Sequence, residues 1–280
     1  MSGEWFDWEW DETLFAGAAA YYDRGRLPNA PGLADALEHA LRLDGRGRLL
    51  DVGCGPGTVT LPLARLFQEV VGLDSDPGMI REARRLASER EVRNAKWLQR
   101  RAEELPADLG AFAVVTLAAS FHWMDRPLVA GLIRGMLEPA GAVVHIDNRH
   151  QDQLMVDGTL PGPPVERIAE LRRAYLGPDR RAGQGIRNSS PSDEAAVFCA
   201  AGFTGPELVV VPDGRTIVRS PDDLVAETFS LSSSAPHLFG PRRSHFEADL
   251  RQVLAEASPN GAFAVRLPDN ELKIWRVARP

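Results

Sequence analysis

The segment Leu49–Ala64, LLDVGCGPGTVTLPLA, leaves this chain few choices of fold. An apolar run, Arg48–Val52, breaks into Gly53, Gly55 and Gly57, and a helical pattern starts near Thr58 and runs to about Phe67. This is the layout of a strand, a tight turn and a helix start. Glycines let the backbone take positive φ and approach a ligand without an intervening Cβ. The amides of such a loop, with the helix N-terminus behind it, offer donors to polar ligand groups. A tight turn with no ligand satisfies the same pattern, so the function has to be argued from what surrounds it.

The surroundings repeat the unit. Leu33, Ala36, Leu37, Ala40 and Leu41 fall at helical spacing ahead of the Asp44-Gly45 stop. Val70–Leu73 reads as a second strand, and Asp76-Pro77 supplies an N-cap and a proline at the first helical position. Met79, Ile80, Ala83 and Leu86 line one face of the helix that follows. Strands are expected at Lys96–Gln99, Ala111–Ala118 and Ala142–Ile146, with a helix over Leu128–Leu137. Apolar strands alternating with helices imply a mostly parallel sheet covered on both faces, a doubly wound, Rossmann-like α/β fold. In the second half, helices are expected at Val165–Tyr175, Ser192–Ala201 and Phe246–Ala255. A hairpin is expected around Asp213-Gly214, joining Leu208–Val211 to Thr216–Val218, with a closing strand over Glu271–Ala278. The chain is then read as an N-terminal cap segment (1–32), a cofactor-binding core (33–147) and an acceptor-side cap that completes the sheet (148–280).

Charge and composition narrow the function classes. The 280 residues carry a net charge of −7, which argues against a dedicated nucleic-acid binder. Two cysteines make no disulfide framework, and the acidic, aromatic start MSGEWFDWEW has no signal-peptide pattern. No apolar run is long enough to span a bilayer. The expectation is a cytoplasmic monomer or homodimer with no membrane or nucleic-acid partner. No His/Cys/Asp group has zinc or iron spacing, so no metal is expected.

Asp74 ends the second strand, where a carboxylate can accept both hydroxyl hydrogens of a ribose. Since Asp76 already caps the next helix, Asp74 is free for a ligand. The glycine spacing is GxGxG rather than the GxGxxG of dinucleotide-binding dehydrogenases, and Asp51 precedes it. This stretch resembles motif I of class I S-adenosylmethionine-dependent methyltransferases. The resemblance implies that Asp51, Gly53, Cys54, Gly55, Gly57 and Thr58 form the cradle for the methionine part. It also implies that Asp74 holds the ribose while Ser75 and Met79 border the adenine. Ala102-Glu103 matches the family's segment after strand three, but Arg101 stands where an acid usually contacts the adenine amino group. Phe112–Asp125, FAVVTLAASFHWMD, matches the strand-four motif with Ala113 in place of its usual acid. This brings Ala118 and Ser120 to the cofactor. Upstream, Ala18–Pro31 resembles the opening segment of small-molecule methyltransferases, which implies Tyr22, Arg24 and Arg26 near the cofactor carboxylate.

The resemblance, nearest to trans-aconitate-type carboxyl methyltransferases, implies methyl transfer to a small-molecule acceptor, leaving S-adenosylhomocysteine. His122 and Asp147 are the candidate catalytic residues; Trp123, His145 and His150 are the candidate acceptor contacts. Structural, hydrogen-bonded histidines are the alternative at His122 and His145. At the level of function, the alternatives are a cofactor-binding protein that transfers nothing and an RNA or protein methyltransferase.

Overall fold

The computed structural model describes residues 11–105, 107–149, 160–183, 185–186 and 193–278. Helix α1 (Ala19–Gly25) and helix α2 (Leu33–Leu41) lead into strand β1 (Arg48–Val52). Then come α3 (Thr60–Leu63), β2 (Glu69–Asp74), α4 (Pro77–Glu89), β3 (Ala95–Gln99), β4 (Phe112–Ala118), α5 (Arg126–Met136) and β5 (Leu137–Arg149). The C-terminal half adds α6 (Val165–Leu176), β6 (Arg181–Ala182), β7 (Gly185–Ile186), α7 (Glu194–Ala200), β8 (Phe203–Val211) and β9 (Thr216–Arg219). It ends with α8 (Pro221–Ser230), α9 (Arg243–Ala257), β10 (Phe263–Arg266) and β11 (Asp269–Val277). No helix among the described residues is long and apolar enough to cross a membrane.

Seven strands form one sheet in the order β3-β2-β1-β4-β5-β11-β8. The five strands of the alternating region are parallel, and β11 runs antiparallel between β5 and β8. The fold is therefore the mostly parallel, Rossmann-like sheet with a closing antiparallel strand. Both faces are buried, which is why the central strands are apolar throughout. On one face Leu50, Val115, Val143 and Trp275 pack with Phe121, Ile133 and Phe198. On the other, Leu49, Val114, Val144 and Ile274 pack with Leu37 and Leu63.

The expected β8–β9 hairpin is corrected by the structure. The Asp213-Gly214 turn forms, with Gly214 at φ +64, but β8 joins β11 in the main sheet while β9 pairs with β10. A local turn signal reports a reversal of the chain. It does not say which distant strand offers the better burial. Strands β9 and β10 belong to a second lobe with α6, α8 and α9, whose core includes Phe229, Phe239, Phe246, Leu250 and Phe263.

A candidate active site at the carboxyl ends of the parallel strands

The sheet order reverses between β1 and β4. In an open α/β sheet this switch point leaves a crevice outside the carboxyl ends of the strands. A cleft with about 640 Å³ of empty space, open solvent at its mouth included, lies there. Gly53 and Gly55 reach it from β1, Leu73, Asp74 and Ser75 from β2, Arg100–Glu103 from β3, and Ala118–Ser120 from β4.

Local sequence explains the loop. Gly53 sits at φ +71, and a Cβ there would lie 2.5 Å from that of Ser120, so no other residue fits. Ser120 is drawn under the loop because its hydroxyl donates to Val52 O at 2.7 Å. The chain reaches that position through Ala119 at φ +48, a sparsely populated conformation for a residue with a side chain, and Ala119 lines the cleft. Beneath the loop, Asp51 accepts from the hydroxyls of Thr60 (2.5 Å) and Thr116 (2.9 Å). Burial pushes its carboxyl up to about 6. Asp51 thus ties the loop to α3 and β4 from below and does not line the cleft.

Asp74 has one side open to the cleft. Its Oδ2 accepts from Gly55 N and its Oδ1 from Asp76 N, both at 2.9 Å. Loss of water raises its carboxyl to about 6, against the two amides that favour the charge. Asp76 caps α4 as the sequence predicts, its Oδ1 accepting from Gly78 N (2.6 Å) and Met79 N (2.9 Å).

Of the sequence-derived candidates, the cleft brings together Tyr22, Gly53, Gly55, Asp74, Ser75, Met79, Ala102, Glu103, Ala118, Ser120 and Trp123. Others lie elsewhere. Arg24 points away to an ion pair with Asp223 (2.6 Å) that fastens α1 to α8. Arg26 stacks over Tyr22 and donates to Ser230 O at 3.0 Å. Gly57 turns away from the cleft because its position abuts Trp97. Thr58 lines a separate groove with Asn29, and its carbonyl accepts from that side chain. Cys54 is buried with its thiol toward Gly55 O, and burial holds the thiol well above its ordinary range.

His122 lays its ring against Trp123, 4.7 Å between centroids, and does not line the cleft. His145 is 2% exposed on β5, with Nδ1 2.9 Å from Glu194 of α7 and Nε2 3.6 Å from Asp147. Ligand-type atoms of His145, Asp147 and Glu194 lie within 4.8 Å of one another. Lys273 Nζ already brings a positive charge to them, 2.8 Å from Asp147 and 3.9 Å from Glu194. The group reads as a latch of α7 onto β5 and β11. His150 and the tryptophans at 5, 8 and 10 lie outside the described residues.

Sequence reasoning missed Leu14, Phe15 and Met124, which with Trp123 form an apolar wall. Phe15 meets Trp123 edge to face at 6.2 Å. Only the end of the strand-four motif signalled part of this wall; nothing local marks Leu14 or Phe15.

Comparison with known proteins agrees with this geometry. A family profile described as "Methyltransferase domain" matches residues 49–141. An uncharacterized methyltransferase YcgJ of Bacillus subtilis (strain 168) is 31% identical over 156 residues, covering 55% of each chain. A ubiquinone biosynthesis O-methyltransferase of Azorhizobium caulinodans is 39% identical over 99 residues, 35% of this chain and 38% of that one. The chain spans about half the length of the first of these curated relatives, or less. In fold, it resembles a S-adenosylmethionine-dependent methyltransferase from Geobacter sulfurreducens solved with S-adenosyl-L-homocysteine. The TM-score is 0.51 at 17% identity, over 94% of this chain and 97% of that one. Residues 49–141 are thus similar to a methyltransferase domain, and the chain shares its fold with an enzyme of that kind.

Proposed function

We propose that the protein binds S-adenosylmethionine in this cleft and moves its methyl group to a small-molecule acceptor, an oxygen nucleophile of the carboxylate or hydroxyl type. The observation that carries the reading is Asp74, a carboxylate held at the tip of β2 and open to a cleft whose floor is Gly53 and Gly55. The residues present fit the cofactor. Gly55 meets nothing closer than Tyr22, 4.0 Å from where its Cβ would be, which leaves room for a ligand against the loop. Asp74 would accept the ribose hydroxyls, and Leu73, Met79 and Ala102 would flank a flat ring. Glu103 is held at that end, its Oε1 accepting from Asp125 N at 2.9 Å. Arg101 replaces the usual acid there.

When bound, S-adenosylmethionine supplies a sulfonium-activated, electrophilic methyl group. The chain's own task is then to place the nucleophile in line and keep water out, where proximity contributes most of the rate. Leu14, Phe15, Trp123 and Met124 serve the second purpose. None of the described residues lining the cleft is a histidine. An acceptor that arrives ionised needs no general base, and this favours the carboxylate over the neutral hydroxyl. The O-methyltransferase among the relatives supports oxygen as the methylated atom.

Calorimetry of the intact protein with S-adenosylmethionine and S-adenosylhomocysteine tests the reading. Binding is expected, with affinity reduced about 10- to 100-fold in Asp74→Ala, the worth of hydrogen bonds to a charged group. No binding, or equal affinity in the variant, overturns it.

A further inference from the structure

Among the described residues, the charged side chains that line the cleft beyond Asp74 are Arg100, Arg101 and Glu103. Arg100 N donates to Asp74 O at 3.0 Å, which keeps the end of β3 level with Asp74. The 3-10 turn Ala102–Glu104 then crosses to the start of α5, where Glu103 Oε1 accepts from Asp125 N at 2.9 Å. This turn closes one end of the cleft. Arg101 stands at its head: its backbone N–H donates to Glu104 Oε2 at 3.4 Å, and its Nε lies 3.4 Å from Glu103 Oε2. Both oxygens of Glu103 are thereby engaged, one by an amide and one by a guanidinium. The Glu103 side chain is 15% exposed, against 39% for Arg101.

A guanidinium is a planar fork of five N–H donors with no acceptor, so a pair made through Nε does not exhaust it. Glu103 sets the orientation of that fork, and the fork is the more exposed of the two. A ligand group that reaches this end of the cleft is therefore met by donors. With its ribose on Asp74 and its ring between Leu73, Met79 and Ala102, a purine is tied at N9. Its opposite edge, which carries the 6-substituent, then turns toward Arg101. A 6-amino group there is a donor facing donors. A 6-oxo group is an acceptor, and arginine is the side chain that pairs with 6-oxo purines through O6 and N7, as glutamine pairs with 6-amino purines.

We propose that Arg101, oriented by Glu103, sets the base selectivity of the cofactor site and favours a 6-oxo over a 6-amino purine, so that the inosyl analogue binds at least as tightly as the adenosyl cofactor. The proposal rests on the cofactor-binding part of the methyl-transfer reading above. Asp74 and the glycine loop, which hold the ribose and methionine ends, then supply the affinity for S-adenosylmethionine without help from its 6-amino group.

The test is calorimetry of the full chain with S-adenosyl-L-homocysteine and with S-inosyl-L-homocysteine. The wild-type protein is expected to bind the inosyl compound no more weakly than the adenosyl one. Arg101→Gln should shift the ratio of the two affinities about ten-fold toward the adenosyl compound, the size of one base-specific contact. Arg101→Asp, which puts an acceptor in place of the donors, should shift it in the same direction. The ratio compares two ligands on one protein, so a general loosening of the site, which weakens both together, does not move it. The glutamine variant sets no second carboxylate beside Glu103, and a melting temperature equal to that of the wild type would show that it is folded. A wild-type preference for the adenosyl compound, or an unchanged ratio in Arg101→Gln, overturns this inference and leaves the methyl-transfer reading standing. Binding of neither compound by the wild-type protein overturns that reading, and this inference with it.

Discussion

At the scale of single residues, two aspartates that look alike in sequence do different work. Asp51 is enclosed below the loop and donates nothing to the cleft; its oxygens are taken by Thr60 and Thr116. Asp74 is held by two backbone amides with one side left to a ligand. Asp74 titrates near 6 because its surroundings favour the neutral form. The ionised form is the one that can accept two ribose hydroxyls. Binding of S-adenosylhomocysteine should therefore weaken as pH falls through about 6, by about ten-fold at pH 5 relative to pH 7.5, since one pH unit below a pKa leaves about a tenth ionised. Asp74→Asn should bind weakly at both pH values and lose most of this dependence, which calorimetry at the two pH values would reveal. The linked stability has the opposite sign. A carboxyl raised from its unfolded value contributes stability fully present below that value and lost as pH rises through about 6.

At the scale of elements, local signals were accurate wherever local physics sets the outcome. The cap at Asp76 was legible because a carboxylate before Pro77 satisfies the first amides of α4, and the structure puts it there. Asp76→Ala should cost about 1 kcal/mol. A lower denaturant midpoint with an unchanged slope would show this; an unchanged midpoint would remove the cap from the account. Helix α8 carried an equally clear signature, Ser220 ahead of Pro221 with Asp223 closing a reciprocal capping box, and could have been found from it. Strand β9 could not. Its partner β10 lies far along the chain, and no residue near Asp213-Gly214 encodes that choice.

For the whole molecule, the sheet and the second lobe are joined through α1. Gly25 packs against the backbone of Ala226, where a Cβ would lie 2.4 Å from its carbonyl oxygen, and Arg219 donates to Arg24 O and Gly25 O. The lobe has its own aromatic core, with Phe246 stacked on Phe239 at 4.0 Å between centroids. Phe246→Ala should cost about 3–5 kcal/mol. Hydrogen exchange should then quicken in α6, α8 and α9 while β1–β5 keep their protection and S-adenosylhomocysteine still binds. Equal loss of protection in the sheet would mean that the two parts unfold as one unit. The sequence by itself determined the alternating strands and helices, the glycine loop with its positive φ, and the positions of Asp51 and Asp74, because periodicity, backbone freedom and capping act within a few residues. Only the tertiary structure decided that Arg24 serves Asp223 rather than the cleft, that His145 joins Glu194 and Lys273, and that Leu14 and Phe15 wall the site. Those outcomes depend on which distant groups burial brings together, and an isolated stretch of sequence holds no record of its partners.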